Sequence, residues 1–199
     1  MFAEAVLGAG QALGSDVVIS TTAGCPLLIQ EAENNACANF SSGTLEILSQ
    51  SEPGVIFFSF ALSPNQKDIQ AIAFEVSSWV KTLTSLGHDL VQIGPIPHFT
   101  EEYAFNPLKC SLAKALDNNC RKEMPLVEAK RRIAVVSAVA TEVKKVAELQ
   151  SIDPLGLACR DETCATSWEG IKIYKDPSHI TVAAAEKLVD EIFHLVNSK

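Results

Sequence analysis

Apolar and polar residues follow one another along the chain in patterns typical of both helices and strands. Helices are predicted over residues 2–13, 42–50, 68–86, 125–150 and 181–197. Short β-branched or apolar runs predict strands over residues 16–21, 54–62, 88–93 and 151–157. Gly14 predicts the end of the first helix and Thr181 the start of the last. Because strands alternate with helices, the pattern predicts an α/β fold with a mostly parallel, doubly wound sheet.

The composition indicates one globular domain with ample material for a core. The chain has 199 residues, of which 47% are hydrophobic and 20% charged, and this balance argues against disorder. Its net charge of −8 argues against nucleic acid or an anionic membrane surface as the main partner. The longest apolar runs, residues 55–62 and 133–140, fall short of the about 18–20 residues that a membrane span needs.

The six cysteines fall in near-neighbour pairs, which are Cys25 and Cys37, Cys110 and Cys120, and Cys159 and Cys164. Pairing in chain order is one of the fifteen connectivities that six cysteines allow, and it closes three loops rich in turn and polar residues. This favours disulfides in an oxidising compartment over free thiols in a cytosolic protein. No Cys-x-x-Cys occurs and no histidine lies at zinc-finger spacing, so no metal site is predicted. Residues 1–5 nevertheless lack the basic start of an export signal.

One candidate for chemistry stands before the last helix, where residues 174–181 are Tyr-Lys-Asp-Pro-Ser-His-Ile-Thr. An aspartate three residues before a histidine, on a turn held by Pro177, can fold its carboxylate onto Nδ1 of the imidazole. Asp176 and His179 would then leave Nε2 free as a general base for a nucleophile. The spacing alone also fits a surface aspartate followed by a helix-capping histidine.

Several further segments accompany this motif. Asp153-Pro154 comes first, then Cys-Arg-Asp-Glu-Thr-Cys at residues 159–164, and then Gly170 ahead of the motif. Ala-Gly-Cys-Pro-Leu lies at residues 23–27 and Gly-Pro-Ile-Pro at residues 94–97. Together these segments resemble the SGNH hydrolase-like domain of the type fused to membrane acyltransferases of family 3, which also has a cysteine loop where Cys110 and Cys120 fall. The resemblance covers nearly the whole chain, and it implies a flavodoxin-like three-layer α/β/α fold.

The resemblance also implies roles for individual residues. Asp176 would orient His179, and His179 would act as general base and then general acid for a serine. Gly24 would lend its backbone N–H to the oxyanion hole, although a turn glycine fits that position equally well. Asn65 is a stand-in for the asparagine that the family usually carries after its third strand. No cofactor is implied.

The activity implied by the resemblance is O-acetylation of a cell-envelope polysaccharide. The partners would be a carbohydrate acceptor, an acyl donor, and a membrane acyltransferase domain in the same full-length chain. The expected location is the periplasmic or extracellular face, tethered to the membrane. The alternatives are a carbohydrate esterase, and a non-catalytic relative that binds glycans.

The nucleophile is the main departure from the family pattern. The family carries it in Gly-Asp-Ser-His at the end of the first strand, and no Gly-Asp-Ser occurs in these 199 residues. Ser15 lies at a helix end and fits a turn residue. Without the central first strand, strands 16–21 and 54–62 would leave backbone groups unpaired at about 1–3 kcal/mol each. We therefore expect residues 1–199 to be one SGNH-like domain, truncated at its N-terminus, without the first strand and without serine-dependent turnover.

The remaining candidates are expected to be structural or peripheral. His88 is predicted to stand at the entry to a strand, and His98 to line the cleft. Trp168 and Tyr174 are predicted to pack rather than to bind sugar. The basic cluster at residues 130–132 is predicted to be a solvated helix face rather than a phosphate site.

Overall fold

The computed structural model describes residues 2–20, 35–62, 68–105 and 122–197, with the side chains of residues 35–38 left out. The helices in chain order are α1 Ala3–Leu13, α2 Asn35–Gln50, α3 Ile69–Ser85, α4 Leu126–Lys144, α5 Leu155–Ala158, α6 Val182–Ala185 and α7 Val189–Asn197. The strands are β1 Val55–Phe58, β2 Asp89–Ile93, β3 Glu123–Pro125, β4 Gln150–Ile152, β5 Cys159–Arg160, β6 Thr163–Ala165, β7 Ser167–Trp168 and β8 Ile171–Lys172. Short 3-10 helices lie at Glu101–Tyr103 and Glu186–Leu188.

The chain divides into two compact units. One, which we call the sheet unit, comprises Val18–Gly94 and Ala134–Ile152. The other, which we call the terminal unit, comprises Met1–Val17, Pro95–Ile133 and Asp153–Lys199.

The sheet unit is built on three parallel strands in the order β1-β2-β4. Apolar side chains of α3, β1, β2 and the end of α4 form its core, which consists of Phe58, Ala73, Val76, Val80, Leu83, Leu90, Val139 and Val143. Asp68 caps α3 because its side chain accepts a hydrogen bond from the N–H of Ala71 at 2.8 Å. The predicted α/β class and parallel sheet are confirmed.

His88 holds the start of β2 in the sheet unit. Its Nδ1 accepts a hydrogen bond from the N–H of Gly54 at 3.2 Å, and its Nε2 donates to the carbonyl of Leu48 at 2.9 Å. The residue is buried with both ring nitrogens engaged, so its predicted place at a strand entry is confirmed.

The terminal unit contains two small antiparallel sheets and a group of packed helices. β3, β6 and β5 form a three-stranded sheet, and β7 and β8 form a hairpin. Helix α1 packs on α6 and α7 through its small residues, and Ala5 and Ala9 are buried. Gly14 ends α1 in the left-handed conformation with φ of 64°, as predicted. Thr181 caps α6 through a hydrogen bond from the N–H of Ala184, also as predicted.

Several predicted elements have different bounds, and one predicted strand is wrong. Residues 16–20 form no strand, and Val18 is 87% exposed, because no strand in the described ranges lies beside them to complete a ladder. β1 ends at Phe58, opposite Gln92 near the end of its partner β2, rather than at residue 62. α4 ends at Lys144, and the predicted strand 151–157 is β4 followed by the helical turn α5.

Candidate active site

Asp176 and His179 lie on a tight turn in the terminal unit, just before α6. An isolated bridge joins Tyr174 to Ile180, and the N–H of Lys175 donates to the carbonyl of His179 at 2.9 Å. The N–H of Thr181 donates to the carbonyl of Ile173 at 2.8 Å. These bonds close the base of the turn, so its position follows from the backbone on both sides.

Within the turn, the carboxylate of Asp176 folds back onto the imidazole of His179. Its Oδ1 accepts hydrogen bonds from the N–H groups of Ser178 and His179, each at 2.9 Å. Both carboxylate oxygens lie 2.8 Å from Nδ1 of His179. A carboxylate only accepts, so Nδ1 carries the proton and Nε2 of a neutral ring carries the lone pair. Nε2 has no partner among the described residues, and the His179 side chain is 49% exposed.

The electrostatics of the turn favour the charged carboxylate. Partial desolvation raises the pKa of Asp176, but hydrogen bonds from the N–H of Ser178 and from His179 outweigh it, so the net shift is downward. Asp176 is therefore ionised at neutral pH and can stabilise a protonated His179.

Ser178 belongs to the structure of the turn. Its Oγ lies 3.3 Å from Oδ1 of Asp176 and 3.3 Å from Nδ1 of His179. Because this hydroxyl sits on the Nδ1 side of the ring, it is not placed to give a proton to Nε2.

A buried tyrosine anchors the start of the turn to the segment that follows β2. The hydroxyl of Tyr174 donates to the carbonyl of Pro97 at 2.8 Å, and burial raises the pKa of that hydroxyl. The N–H of Phe99 donates to the carbonyl of Pro177 at 2.7 Å. The rings of Phe99 and Tyr174 meet edge to face at 4.9 Å, and both residues are fully buried. The predicted packing role of Tyr174 is confirmed.

His98 lies between Pro97 and Phe99, the two residues of this segment that bond to the turn. It is exposed, but partial desolvation of its ring lowers its pKa, and the charges of His179 and Arg132 lower it further against the opposing effect of Asp176. A positive charge on His179 therefore disfavours protonation of His98.

The prediction of a solvated helix face at residues 130–132 is wrong for Arg132. The predicted solvated face holds for Arg131, whose side chain is 66% exposed, but the Arg132 side chain is only 8% exposed. Hydrogen bonds from Arg131 and Arg132 lower the pKa of Glu128 to about 2. The signal available in the sequence is the spacing of Glu128 and Arg132, four residues apart on a helix.

Of the predicted disulfides, Cys159–Cys164 is confirmed and joins the paired strands β5 and β6. The structure does not describe the side chains needed to test the predicted pairs Cys25–Cys37 and Cys110–Cys120. The oxyanion candidates Gly24 and Asn65 also lie outside the described residues. In the described part, no group of three or more His, Cys, Asp or Glu side chains is suited to hold a metal ion. Within the same ranges, no helix combines the length and apolar character that crossing a membrane requires.

Comparison with known proteins gives a family and a fold. The sequence profile of the family described as "SGNH domain (fused to AT3 domains)" matches residues 1–193. The solved structure of a Salmonella ser. Paratyphi A lipopolysaccharide acetyltransferase periplasmic domain superposes with a TM-score of 0.71 at 16% sequence identity, over 98% of this chain and 78% of that one. At this identity the likeness concerns the fold. A search of curated proteins found no significant match.

Proposed function

Because the chain belongs to the family of SGNH domains fused to AT3 domains, we propose that His179 is the general base of an acyl-transfer reaction and that Asp176 orients it. The observation that carries the proposal is the carboxylate–imidazole pair, in which both oxygens of Asp176 lie 2.8 Å from Nδ1 of His179. This arrangement leaves Nε2 as the basic nitrogen on a half-exposed side chain, where an acyl donor has access.

The proposed reaction has two halves that use the same pair. First, Nε2 of His179 takes the proton of a serine hydroxyl while the serine oxygen attacks the acyl carbonyl. The tetrahedral intermediate collapses, His179 returns the proton to the leaving group, and an acyl-serine remains. In the second half, Nε2 takes the proton of an acceptor hydroxyl, which attacks the acyl-serine, and His179 then protonates the released serine oxygen. Asp176 stabilises the imidazolium in both halves.

The serine of this proposal lies outside residues 1–199, since the family's Gly-Asp-Ser does not occur in them. The proposed donors to the oxyanion are the backbone N–H of Gly24 and the side chain of Asn65, both implied by family resemblance. The 199-residue chain by itself is therefore proposed to have no serine-dependent turnover.

The acceptor that we propose is a hydroxyl of a cell-envelope polysaccharide, and the transferred group is acetyl. Support comes from the fusion partner that describes the family and from the solved relative, a lipopolysaccharide acetyltransferase periplasmic domain. On the same support, we propose that the site lies on the periplasmic or extracellular face and that the full-length chain also carries a membrane acyltransferase domain.

The test is turnover of an activated acetyl ester by the natural full-length protein. The variant His179→Ala is expected to lose about 10⁶-fold in kcat, as removal of a triad base does. His194→Ala is the matched control, because His194 is an exposed histidine on α7, and it should keep full turnover. Turnover that survives His179→Ala would contradict the assignment. Inactivity of every protein, with retained glycan binding, would favour a non-catalytic relative, whereas release of acetate without transfer to sugar would favour an esterase.

A further inference from the structure

The side chain of Arg132 on α4 is only 8% exposed, and its guanidinium reaches the segment that follows β2. Its Nη1 donates to the carbonyl of His98 at 2.9 Å and to Oγ1 of Thr100 at 2.9 Å. Its Nε donates to Glu128 at 2.7 Å, which balances the buried charge. One guanidinium thus joins α4 to the two residues on either side of Phe99.

Two further contacts complete the surroundings of the guanidinium. The ring of Tyr103 faces it at 5.4 Å, and Nη2 lies 3.5 Å from a carboxylate oxygen of Glu101. Glu101 and Tyr103 belong to the 3-10 helix that continues the segment. The guanidinium of Arg132 therefore contacts the segment of residues 98–103 at both of its ends.

The segment that Arg132 holds is the one against which the turn of Asp176 and His179 rests. Tyr174 donates to the carbonyl of Pro97, and Phe99 donates to the carbonyl of Pro177, so the segment is bonded to the turn on both sides of His98. Pro177 lies between Asp176 and His179 in the chain, directly after the aspartate. A shift of residues 97–100 would therefore move the turn that sets the direction of Nε2.

We propose that Arg132 is a positioning residue for the acyl-transfer site, acting through residues 97–100 on the turn that carries Asp176 and His179. The role rests on the proposed function of that pair. An arginine suits it because the planar guanidinium donates in fixed directions to Glu128 and to two oxygens of the segment, which the point charge of a lysine cannot do in the same way.

The chain supplies a matched control in Arg131. It pairs with the same Glu128, through Nε at 2.7 Å and Nη2 at 2.8 Å, but is exposed and donates no hydrogen bond to residues 98–100 in the described part of the chain. Arg131→Ala and Arg132→Ala each leave Glu128 one arginine partner. A difference between the two variants therefore reports on the segment and not on the ion pair.

The first measurement is hydrogen exchange of the Ser178 and His179 amides that donate to Asp176, in the full-length protein. In Arg132→Ala these amides should exchange about tenfold faster, the ratio that loss of one hydrogen bond to a charged group produces. The second measurement is ester turnover by the full-length protein, where kcat should fall by up to about 100-fold with little change in KM. Arg131→Ala should change neither quantity more than about twofold, as expected of an exposed ion pair.

The outcomes separate this proposal from the proposed function. If His179→Ala abolishes turnover while Arg132→Ala changes neither amide exchange nor kcat, the positioning role is wrong and the base remains assigned. If His179→Ala leaves turnover intact, the base is wrong and the positioning role in acyl transfer falls with it, even where faster exchange in Arg132→Ala shows that Arg132 holds the turn. If circular dichroism shows Arg132→Ala unfolded, Thr100→Val replaces it, because that change removes one acceptor and no charge. Unchanged exchange and unchanged kcat in Thr100→Val would then overturn the role.

Discussion

Replacing Asp176 by asparagine separates the two tasks of this carboxylate. Oδ1 accepts the backbone N–H groups of Ser178 and His179, and an amide oxygen can continue to accept them. The second oxygen lies 2.8 Å from Nδ1 of His179, and in the variant an NH₂ group would occupy that position. A donor facing Nδ1 requires a lone pair there, so the imidazole proton moves to Nε2, and the ring can no longer act as the base.

The expected loss is large for the reaction and small for folding. A base held in the wrong tautomer costs about 10⁴-fold in kcat, which is about 5.4 kcal/mol in activation free energy. The unfolding free energy should change by less than about 1 kcal/mol, because solvent screens the pair and the Asp176 side chain is 38% exposed. A variant that folds normally and fails in catalysis is therefore predicted.

Two measurements check Asp176→Asn. Nitrogen-15 NMR of the full-length protein reports which ring nitrogen of His179 carries the proton, and ester hydrolysis by the same protein reports kcat. Asp153→Asn is the control, because Oδ1 of Asp153 accepts the N–H of Leu155 at 3.0 Å in a similar turn without an imidazole. Retention of the Nδ1 proton in Asp176→Asn, or a kcat within about tenfold of the wild type, would refute the reasoning.

Two further predictions concern stability. Tyr174→Phe leaves the buried carbonyl of Pro97 without its donor, so urea denaturation should show a loss of about 1–3 kcal/mol. Tyr103→Phe should show almost none, since the Tyr103 hydroxyl makes no hydrogen bond in the described part of the chain; equal losses would contradict the anchor. The two arginine partners of Glu128 lower its pKa from 4.5 to about 2. The ionised carboxylate therefore contributes fully to the unfolding free energy above about pH 4.5, and this contribution is lost as the pH falls toward 2. The stability of Glu128→Gln should therefore fall less steeply across that range, and identical slopes would contradict the assignment.

The parts of the fold that the sequence predicts correctly are those specified by local chemistry. The amphipathic spacing of α1 and α3 predicts both helices to within one residue at each end, because burial and capping act on adjacent turns. Gly14 and Thr181 mark helix ends for the same local reason. The pair of Asp176 and His179 is also local, since a turn of four residues brings the carboxylate onto the ring.

The parts that the sequence misses depend on distant partners. Residues 16–20 have the composition of a strand, but a strand needs a neighbouring strand to pair with. No strand in the described ranges pairs with these residues. The short strand β3 follows from antiparallel pairing with β6, between residues about 40 positions apart, which no local period reveals. The burial of the Arg132 side chain likewise depends on contacts with residues 98–103, and His98 lies 34 positions before it in the chain.

The central claim, that His179 activates a serine for acyl transfer, is tested most directly by labelling with a fluorophosphonate probe. We predict that the full-length protein is labelled on one serine outside residues 1–199, that the label is lost in His179→Ala, and that the 199-residue chain alone takes up none. Labelling of any serine within residues 1–199, or labelling of the full-length protein at an unchanged rate without His179, would contradict the account.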